Sequence, residues 1–192
     1  LVNPTNLNNL KKNNYLATLR SYGKIFMLYL IKINNKNYCF FINYKKKEII
    51  SVRIKFKDEL YNGTLIYGEL LKDNDKNWLY VINDIYIYKG KILDKLLLNK
   101  RIEILNNMFN TEYNKDTTLD PCIFKVKEYF EYKYLLSLKD DYQNSLNYKI
   151  SGYMFNRTNS INDIYIYIFP ENRNKSNKVK KEIFFKIKDT SL

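Results

Sequence analysis

Two acidic residues, Glu69 and Asp84, each stand alone within a run of apolar and aromatic residues. Glu69 lies in TLIYGELL, just after the turn-forming pair Asn62-Gly63, and Asp84 lies further along in WLYVINDIYIY. Both runs have the composition of β-strands, so they predict two neighbouring strands. A buried carboxylate is unfavourable unless it is paired or bound to a ligand, so strands that keep one usually line a site. Exposure of both acids on a half-solvated sheet is an equally compatible interpretation.

The chain has 192 residues, of which 45% are hydrophobic and 16% aromatic, with 5 Gly and 3 Pro. This composition predicts a single folded domain over residues 1–192, with an Asn-rich leader over residues 1–14. The 33 Lys and Arg residues exceed the 20 Asp and Glu residues, and the net charge of +13 favours RNA or another polyanion as a partner. An AT-rich genome also encodes many Lys, Asn, Ile and Tyr residues, so mutational bias is an alternative explanation of the charge.

The two cysteines, Cys39 and Cys122, lack the spacing of metal ligands, and the chain has no histidine. Cys39 lies in an apolar run and is predicted to be a small buried hydrophobe in a protein of a reducing compartment. No apolar run has the length of a membrane span, and no signal peptide is visible. We therefore expect no membrane span.

Hydrophobic periodicity predicts an α+β chain with mostly antiparallel strands and two central helices. The first helix is expected over residues 92–109, with Leu97 and Leu105 facing the core and Arg101 on the other side. The second helix is expected over residues 125–146. Strands are expected over residues 25–33, 38–43, 48–54, 64–72, 78–88, 148–155, 161–169 and 182–188.

Six short motifs follow one another along these elements. They are RSYGKI (20–25), GTLIYGEL (63–70), YVINDIYIYKGK (80–91), NKRIEIL (99–105), YKISGYMF (148–155) and FFKIK (184–188). In order and spacing they resemble K-x-D-G-x-R, T-L-x-D-G-E-L, Y-L-x-F-D-x-L, R-x-x-x-L, K-x-D-G-L-I-F and K-W-K of the mRNA capping guanylyltransferases. That family is related to ATP-dependent DNA and RNA ligases, and the resemblance spans nearly the whole chain.

The resemblance implies a nucleotidyltransferase domain, similar to ATP-grasp folds, with two antiparallel sheets around a cleft and flanking helices. We expect no OB domain in this chain. In the family a lysine attacks the α-phosphate of GTP with help from a metal ion, and the GMP then passes to the 5′ end of RNA. By this resemblance Glu69 would contact the ribose or the catalytic lysine, and Asp84 would lie beside the base.

The resemblance fails at the residues that would perform this chemistry. Arg20 stands at the position of the lysine, and a guanidinium that stays protonated can hold a phosphate but cannot attack one. Tyr22, Tyr67 and Ser151 stand at the positions of acids, and Asn83 stands at that of an aromatic base contact. We therefore predict no catalytic residue, no metal site and no cofactor, with GTP and Mg²⁺ needed only if the chain is an enzyme. The predicted remnant of a phosphate site consists of Arg20, Glu69, Asp84, Lys186 and Lys188.

One other lysine, Lys24, lies near the first motif and could in principle act as a displaced nucleophile. Strand alternation predicts that it shares a face with Arg20 but lies more than ~10 Å away, at roughly 3.3 Å per residue. The glycines of the motifs, such as Gly152, are explained by turns and packing, so they indicate the fold rather than an activity.

Three functions are compatible with these residues. The first is a non-catalytic guanylyltransferase-like domain that serves as a structural, assembly or interaction subunit, with protein partners, in the virion or cytoplasmic factory of a large DNA virus or a similar AT-rich element. The many tyrosines suit such an interface, and Tyr22 and Tyr67 would then fill the space of the lost nucleotide.

The second function is a module that binds RNA 5′ ends or caps. Arg20, Lys186 and Lys188 would contact phosphates, and Trp78 or a tyrosine would stack on a base. The third function is a GTP-dependent guanylyltransferase subunit, and Arg20 argues directly against it.

Overall fold

A computed structural model describes residues 10, 14–134, 142–161 and 163–169 of the chain. These residues form an α+β fold of two sheets with one α-helix, which confirms the α+β class and the two sheets of the prediction. The strand predicted over residues 182–188, with Lys186 and Lys188, lies outside the described residues. In the described part of the chain, no helix combines the length and the apolar character needed to cross a membrane.

The strands and helices are as follows. The strands are β1 (Tyr15–Ser21), β2 (Lys24–Ile33), β3 (Lys36–Asn43), β4 (Glu48–Val52), β5 (Thr64–Lys72), β6 (Trp78–Tyr88), β7 (Lys91–Ile92), β8 (Ile123–Val126), β9 (Phe130–Glu131), β10 (Ile150–Arg157) and β11 (Ile164–Ile168). The α-helix is α1 (Leu98–Thr111), and short 3-10 helices cover Asp58–Asn62, Tyr132–Tyr134 and Gln143–Ser145.

The larger sheet has seven strands in the order β4-β3-β2-β5-β6-β7, with β8 added beside β6. The β2–β3 hairpin turns at Asn34 and Asn35, whose positive φ angles of 49° and 60° suit the tight turn between twisted strands. β8 runs parallel to β6, so the larger sheet is mostly antiparallel, as predicted, with this one parallel pair among the described strands.

The smaller sheet has four strands in the order β11-β10-β1-β9. β1 leaves this sheet at Ser21, and β2 enters the larger sheet at Lys24, so only Tyr22 and Gly23 separate the two sheets along the chain. β1 itself was not predicted as a strand. Its burial is nearly complete on both faces, which removes the alternation that reveals a half-exposed strand.

The seven-stranded sheet has two different faces. Its helix face carries Leu28, Ile66 and Ile82, which pack with Leu105 and Met108 of α1. Its inner face, opposite, carries Leu71, Leu79 and Val81, which form a second core with Leu19 and Ile150 of the four-stranded sheet. Side chains of successive strand residues point to opposite faces, so each residue of β5 or β6 belongs to one face only.

The prediction of two helices is wrong in two respects. α1 begins at Leu98 instead of residue 92, and its buried residues include Arg101, while Leu97 is exposed. The prediction assigned Arg101 to the solvent side because it is charged, but Arg101 is buried in an ion pair with Asp84. The described part of the second predicted helix contains the end of β8, β9 and two 3-10 helices instead, since pairing with β6 outweighs the local periodicity.

The glycines retained in the motifs are explained by close packing. A Cβ atom on Gly68 would lie 2.6 Å from Cζ of Tyr80, and one on Gly152 would overlap the carbonyl oxygen of Tyr167 in β11. Gly152 thus allows β10 and β11 to pair. The motif glycines are structural, in agreement with the prediction.

We expect Gly152→Ala to lower the free energy of unfolding by about 1–3 kcal/mol or more, because β10 and β11 must move apart to accommodate the methyl group. Urea denaturation monitored by circular dichroism measures this loss. Ser51→Ala, at an exposed position of β4, is the control and should change stability by less than about 0.5 kcal/mol. Equal stability of the two variants would contradict the packing argument.

Candidate functional site

Three of the residues singled out in the sequence, Arg20, Glu69 and Ser151, converge where the inner face of the larger sheet meets the end of β1. β5 places Glu69 on the inner face, opposite Ile25 of β2. β1 brings Arg20 opposite Gly152 of β10, and this register places Ser151 beside the β1–β2 connection. Residues far apart in sequence are thereby brought to one point.

The Glu69 carboxylate is buried, and one of its oxygens is bonded to three groups of the protein. Its Oε2 atom accepts hydrogen bonds from Ser21 Oγ at 2.5 Å and from the Ser21 backbone N–H at 3.1 Å. The same oxygen accepts a bond from Lys127 Nζ at 3.0 Å. Glu69 is therefore a buried and paired acid, as one of the two initial interpretations predicted.

Lys127 is the site residue that the sequence did not reveal. It is only 4% exposed, and β8 fixes its backbone, whose N–H donates to the carbonyl of Ile82 at 2.9 Å. Burial lowers the pKa of Lys127, with a smaller contribution from the charge of Arg20, while Glu69 opposes the shift. The alternation of apolar and basic residues in Phe124–Lys127 was the available signal, but residues 125–146 were predicted as a helix.

Asp84 is held by a second buried ion pair. Arg101 Nε donates to Oδ1 at 2.9 Å and Arg101 Nη2 donates to Oδ2 at 2.8 Å, a two-point contact typical of arginine and carboxylate. The backbone N–H of Ile85 also donates to Oδ1. Burial raises the pKa of Asp84, and the bonds from Arg101 and Ile85 counteract that shift. Asp84 thus anchors α1 to β6.

Arg20 and Ser151 contact each other directly. Arg20 Nη1 donates to Ser151 Oγ at 2.7 Å, and Ser151 Oγ donates to the carbonyl of Ser21 at 2.9 Å. Arg20 is half-buried. The structure therefore gathers Arg20, Ser151 and Glu69 around Ser21.

The tyrosines at the former acid positions differ from each other. Tyr67 is buried on the inner face beside Asp84 and stacks on Tyr86, with ring centroids 5.7 Å apart. Tyr22 is 51% exposed, because it lies in the short connection where the chain leaves one sheet for the other. The prediction that both rings pack into the cleft is wrong for Tyr22.

The structure also places Lys24 and Asn83, two further residues considered in the sequence. Lys24 pairs with Leu70 and lies on the helix face, so the prediction that it shares a face with Arg20 is wrong; the connection at Tyr22 and Gly23 changes the alternation. Asn83 is completely buried, and its side-chain amide bonds none of the described residues.

The arrangement contains two buried ion pairs, Glu69 with Lys127 and Asp84 with Arg101. Within the described residues, no group of three or more His, Cys, Asp or Glu side chains could hold a metal ion. The thiols of Cys39 and Cys122 are buried as well, and burial raises the pKa of Cys39 to about 11. In each ion pair the cation neutralises the buried acid. The pair of Glu69 and Lys127 lies at the junction between the two sheets.

The pH dependence of stability should reveal Lys127. Because burial lowers its folded-state pKa below the usual 10.5, the unfolded chain binds more protons at this site between those two values. The contribution of Lys127 to stability therefore rises with pH in that interval. We expect the stability difference between wild type and Lys127→Met to grow in favour of wild type, by up to about 1.4 kcal/mol per pH unit.

Urea denaturation from about pH 8 to about pH 10 measures this difference. The buried tyrosines, whose pKa values burial raises, are present in both proteins and cancel in the comparison. Lys95→Met, which replaces an exposed lysine, is the matched control. An equal pH dependence for the two variants would contradict the assignment to Lys127.

Comparison with known proteins agrees with the motif order and with the fold. A family model described as mRNA capping enzyme, catalytic domain, matches residues 2–167. This range contains β1 to β10, most of β11 and all the site residues described above. No curated protein matches the chain significantly. The chain therefore belongs to the family of mRNA capping enzyme catalytic domains.

Proposed function

We propose that this domain retains the architecture of a capping guanylyltransferase without its chemistry and acts as a structural or interaction subunit of a larger assembly. The proposal rests on the contacts that the Glu69 carboxylate makes. Its carboxylate is occupied by Lys127 and Ser21, at a place where Arg20 stands in the position of the nucleophile. In this proposal the domain requires neither GTP nor Mg²⁺.

Nucleophilic attack on a phosphate requires a neutral amine that can reach it. A guanidinium is not a neutral amine, and the Nη1 atom of Arg20 is bonded to Ser151. Lys127 has a lowered pKa, but its amine is bonded to Glu69 and buried. Lys24 lies on the opposite face of the sheet from Glu69. None of these three side chains is an amine that reaches the inner face beside Glu69 without already being bonded there.

The direct test is incubation of the purified protein with labelled GTP and Mg²⁺ or Mn²⁺, followed by denaturing electrophoresis. A reaction would join an amine nitrogen to the α-phosphate and release pyrophosphate, so the label would survive denaturation. We expect no labelled band in wild type. We also expect none in Arg20→Lys, because Tyr67 and Ser151 still occupy the acid positions and Lys127 still occupies Glu69.

If a labelled band appeared, the variants Lys127→Arg and Lys24→Ala would show which lysine carries the label. A labelled wild-type band that disappears in Lys127→Arg would identify Lys127 as a relocated nucleophile and reject the proposal. A band that disappears only in Lys24→Ala would reject it through the other lysine.

The interaction role is supported by the edge of the larger sheet. Within the described residues, β4 has a neighbour only on the β3 side, and Ile49 is 67% exposed on it. An exposed apolar residue on an edge strand favours association with another chain through main-chain hydrogen bonds. We propose β4 as the contact with a protein partner, in a virion or in the cytoplasm. The buried free thiols of Cys39 and Cys122 suit a reducing compartment such as the cytoplasm.

Purification of the native assembly through a tagged chain tests this role. We expect Ile49→Lys to lose a stoichiometric partner that wild type retains, because a lysine on an edge strand opposes pairing. The control is Ile92→Lys, which alters a residue that is 52% exposed on β7. Loss in both variants, or no partner with wild type, would contradict the proposed contact.

The alternative of an RNA 5′-end site between the sheets has less support. Arg20, its proposed phosphate ligand, is bonded to Ser151. Trp78 pairs with Lys72 at the end of β6 and lies on the other face of the sheet from Glu69.

A further inference from the structure

A groove of about 820 Å³ opens on the helix face of the seven-stranded sheet. No residue of α1 lines it, so it occupies the end of the face that the helix leaves uncovered. A volume of several hundred Å³ is typical of ligand-binding clefts. Leu70 of the helix face lines this groove, whereas Glu69 points to the inner face and does not line it. Gly23 and Leu71 line the end of the groove that is nearest to the site around Glu69.

The floor of the groove is apolar and is built from neighbouring strands. Phe41 of β3 pairs with Leu28 of β2 and with Ile50 of β4, so these side chains share the helix face. The floor residues are Phe26, Phe41, Ile50, Val52 and Leu70. An apolar floor of this kind accepts a flat hydrophobic group such as an aromatic ring or a nucleobase.

The rim combines exposed lysines with exposed aromatic rings. Lys24, Lys72 and Lys149 line the groove and are exposed, and none of them forms an ion pair with another described residue. Trp78 is 49% exposed, with Lys72 Nζ 5.2 Å from its ring centroid, and Tyr22 is the second exposed ring. Rings in this setting can stack on a ligand without first losing buried contacts.

The acidic residues of the rim do not offset the lysines. The carboxylate of Asp73 is buried, where it accepts bonds from the Asn77 backbone N–H and the Asn147 side chain. Glu48 is the other carboxylate among the described lining residues. Three lysines against these two acids leave an excess of positive charge, in a chain whose net charge is +13.

We propose that this groove binds single-stranded nucleic acid, with bases stacked on Trp78 and Tyr22 and with phosphates at Lys24, Lys72 and Lys149. Aromatic stacking combined with a basic groove is the usual way in which proteins hold unpaired strands. The proposal concerns a different face from the one around Glu69, and it does not depend on whether the domain is catalytic.

An acidic peptide is the competing occupant, and the geometry favours the nucleic acid. A peptide that adds to a sheet uses the main chain of an edge strand, and those groups point along the plane of the sheet. The groove lies instead above the face, where two rings flank the lysines. Flat bases linked by phosphates match both features.

Trp78 is the single tryptophan of the chain, so its fluorescence reports directly on this groove. A single-stranded RNA of about eight nucleotides should be titrated into the full chain at about 0.1 M salt. We expect saturable quenching of the fluorescence. Uridine monophosphate at the same nucleotide concentration should quench much less, because it offers one phosphate instead of several.

The variant Lys24→Ala/Lys72→Ala/Lys149→Ala tests the phosphate contacts. We expect its affinity for the RNA to fall by at least about tenfold, and the slope of log affinity against log salt to decrease by about 2, at ~0.7 per phosphate contact. The matched control is Lys91→Ala/Lys95→Ala/Lys115→Ala, which removes the same charge at exposed positions that do not line the groove. Its affinity should stay within about twofold of wild type.

Three outcomes would overturn the proposal. Absence of saturable quenching would show that no strand stacks on Trp78. Equal losses in the two triple variants would show that the binding reflects diffuse surface charge. A polyglutamate peptide or uridine monophosphate that binds as tightly as the RNA would identify an acidic-peptide site or a mononucleotide site instead.

Discussion

The structure depends on a single buried carboxylate, that of Glu69. Its Oε2 atom joins three parts of the chain: β5, the end of β1 at Ser21, and the segment after β8 at Lys127. Ser21 belongs to the smaller sheet and Glu69 to the larger one, so the contact also joins the two sheets. Removal of either charge would leave its partner buried and unpaired, which proteins tolerate poorly. An acid at this point therefore has a structural explanation without any ligand.

Asp84 and Arg101 repeat this arrangement further along the larger sheet. Both charged pairs consist of a residue on a central strand and a cation from a later segment of the chain. Together the two pairs explain why Glu69 and Asp84 each stand alone among apolar residues in the sequence. The presence of these two acids in a chain of the capping-enzyme family thus does not by itself indicate catalysis.

Much of the strand structure was predictable from local patterns. β2, β3, β5 and β6 were predicted to within a few residues, since alternation and the turn at Asn34-Asn35 are local signals. Arg101 was assigned to solvent and Lys127 to a helix, because the partners that justify their burial are distant in sequence. Glu69 and Asp84 were predicted on neighbouring strands, whereas the identity of the cations that neutralise them requires the tertiary structure. The groove was not predicted because it forms from strands, and from chain segments between them, that meet only in the folded chain.

The short connection between β1 and β2 has a consequence for the order of folding. β2, β3, β4, β5 and β6 pair with strands close to them in sequence, as in hairpins that form quickly. β1 pairs instead with β10, where Arg20 lies opposite Gly152, so its main partner emerges from the ribosome more than a hundred residues later. During synthesis the larger sheet can form first while β1 remains without this partner. An apolar strand without its partner exposes hydrophobic surface and can aggregate. Rapid completion of the chain or early binding of a chaperone would therefore favour correct folding.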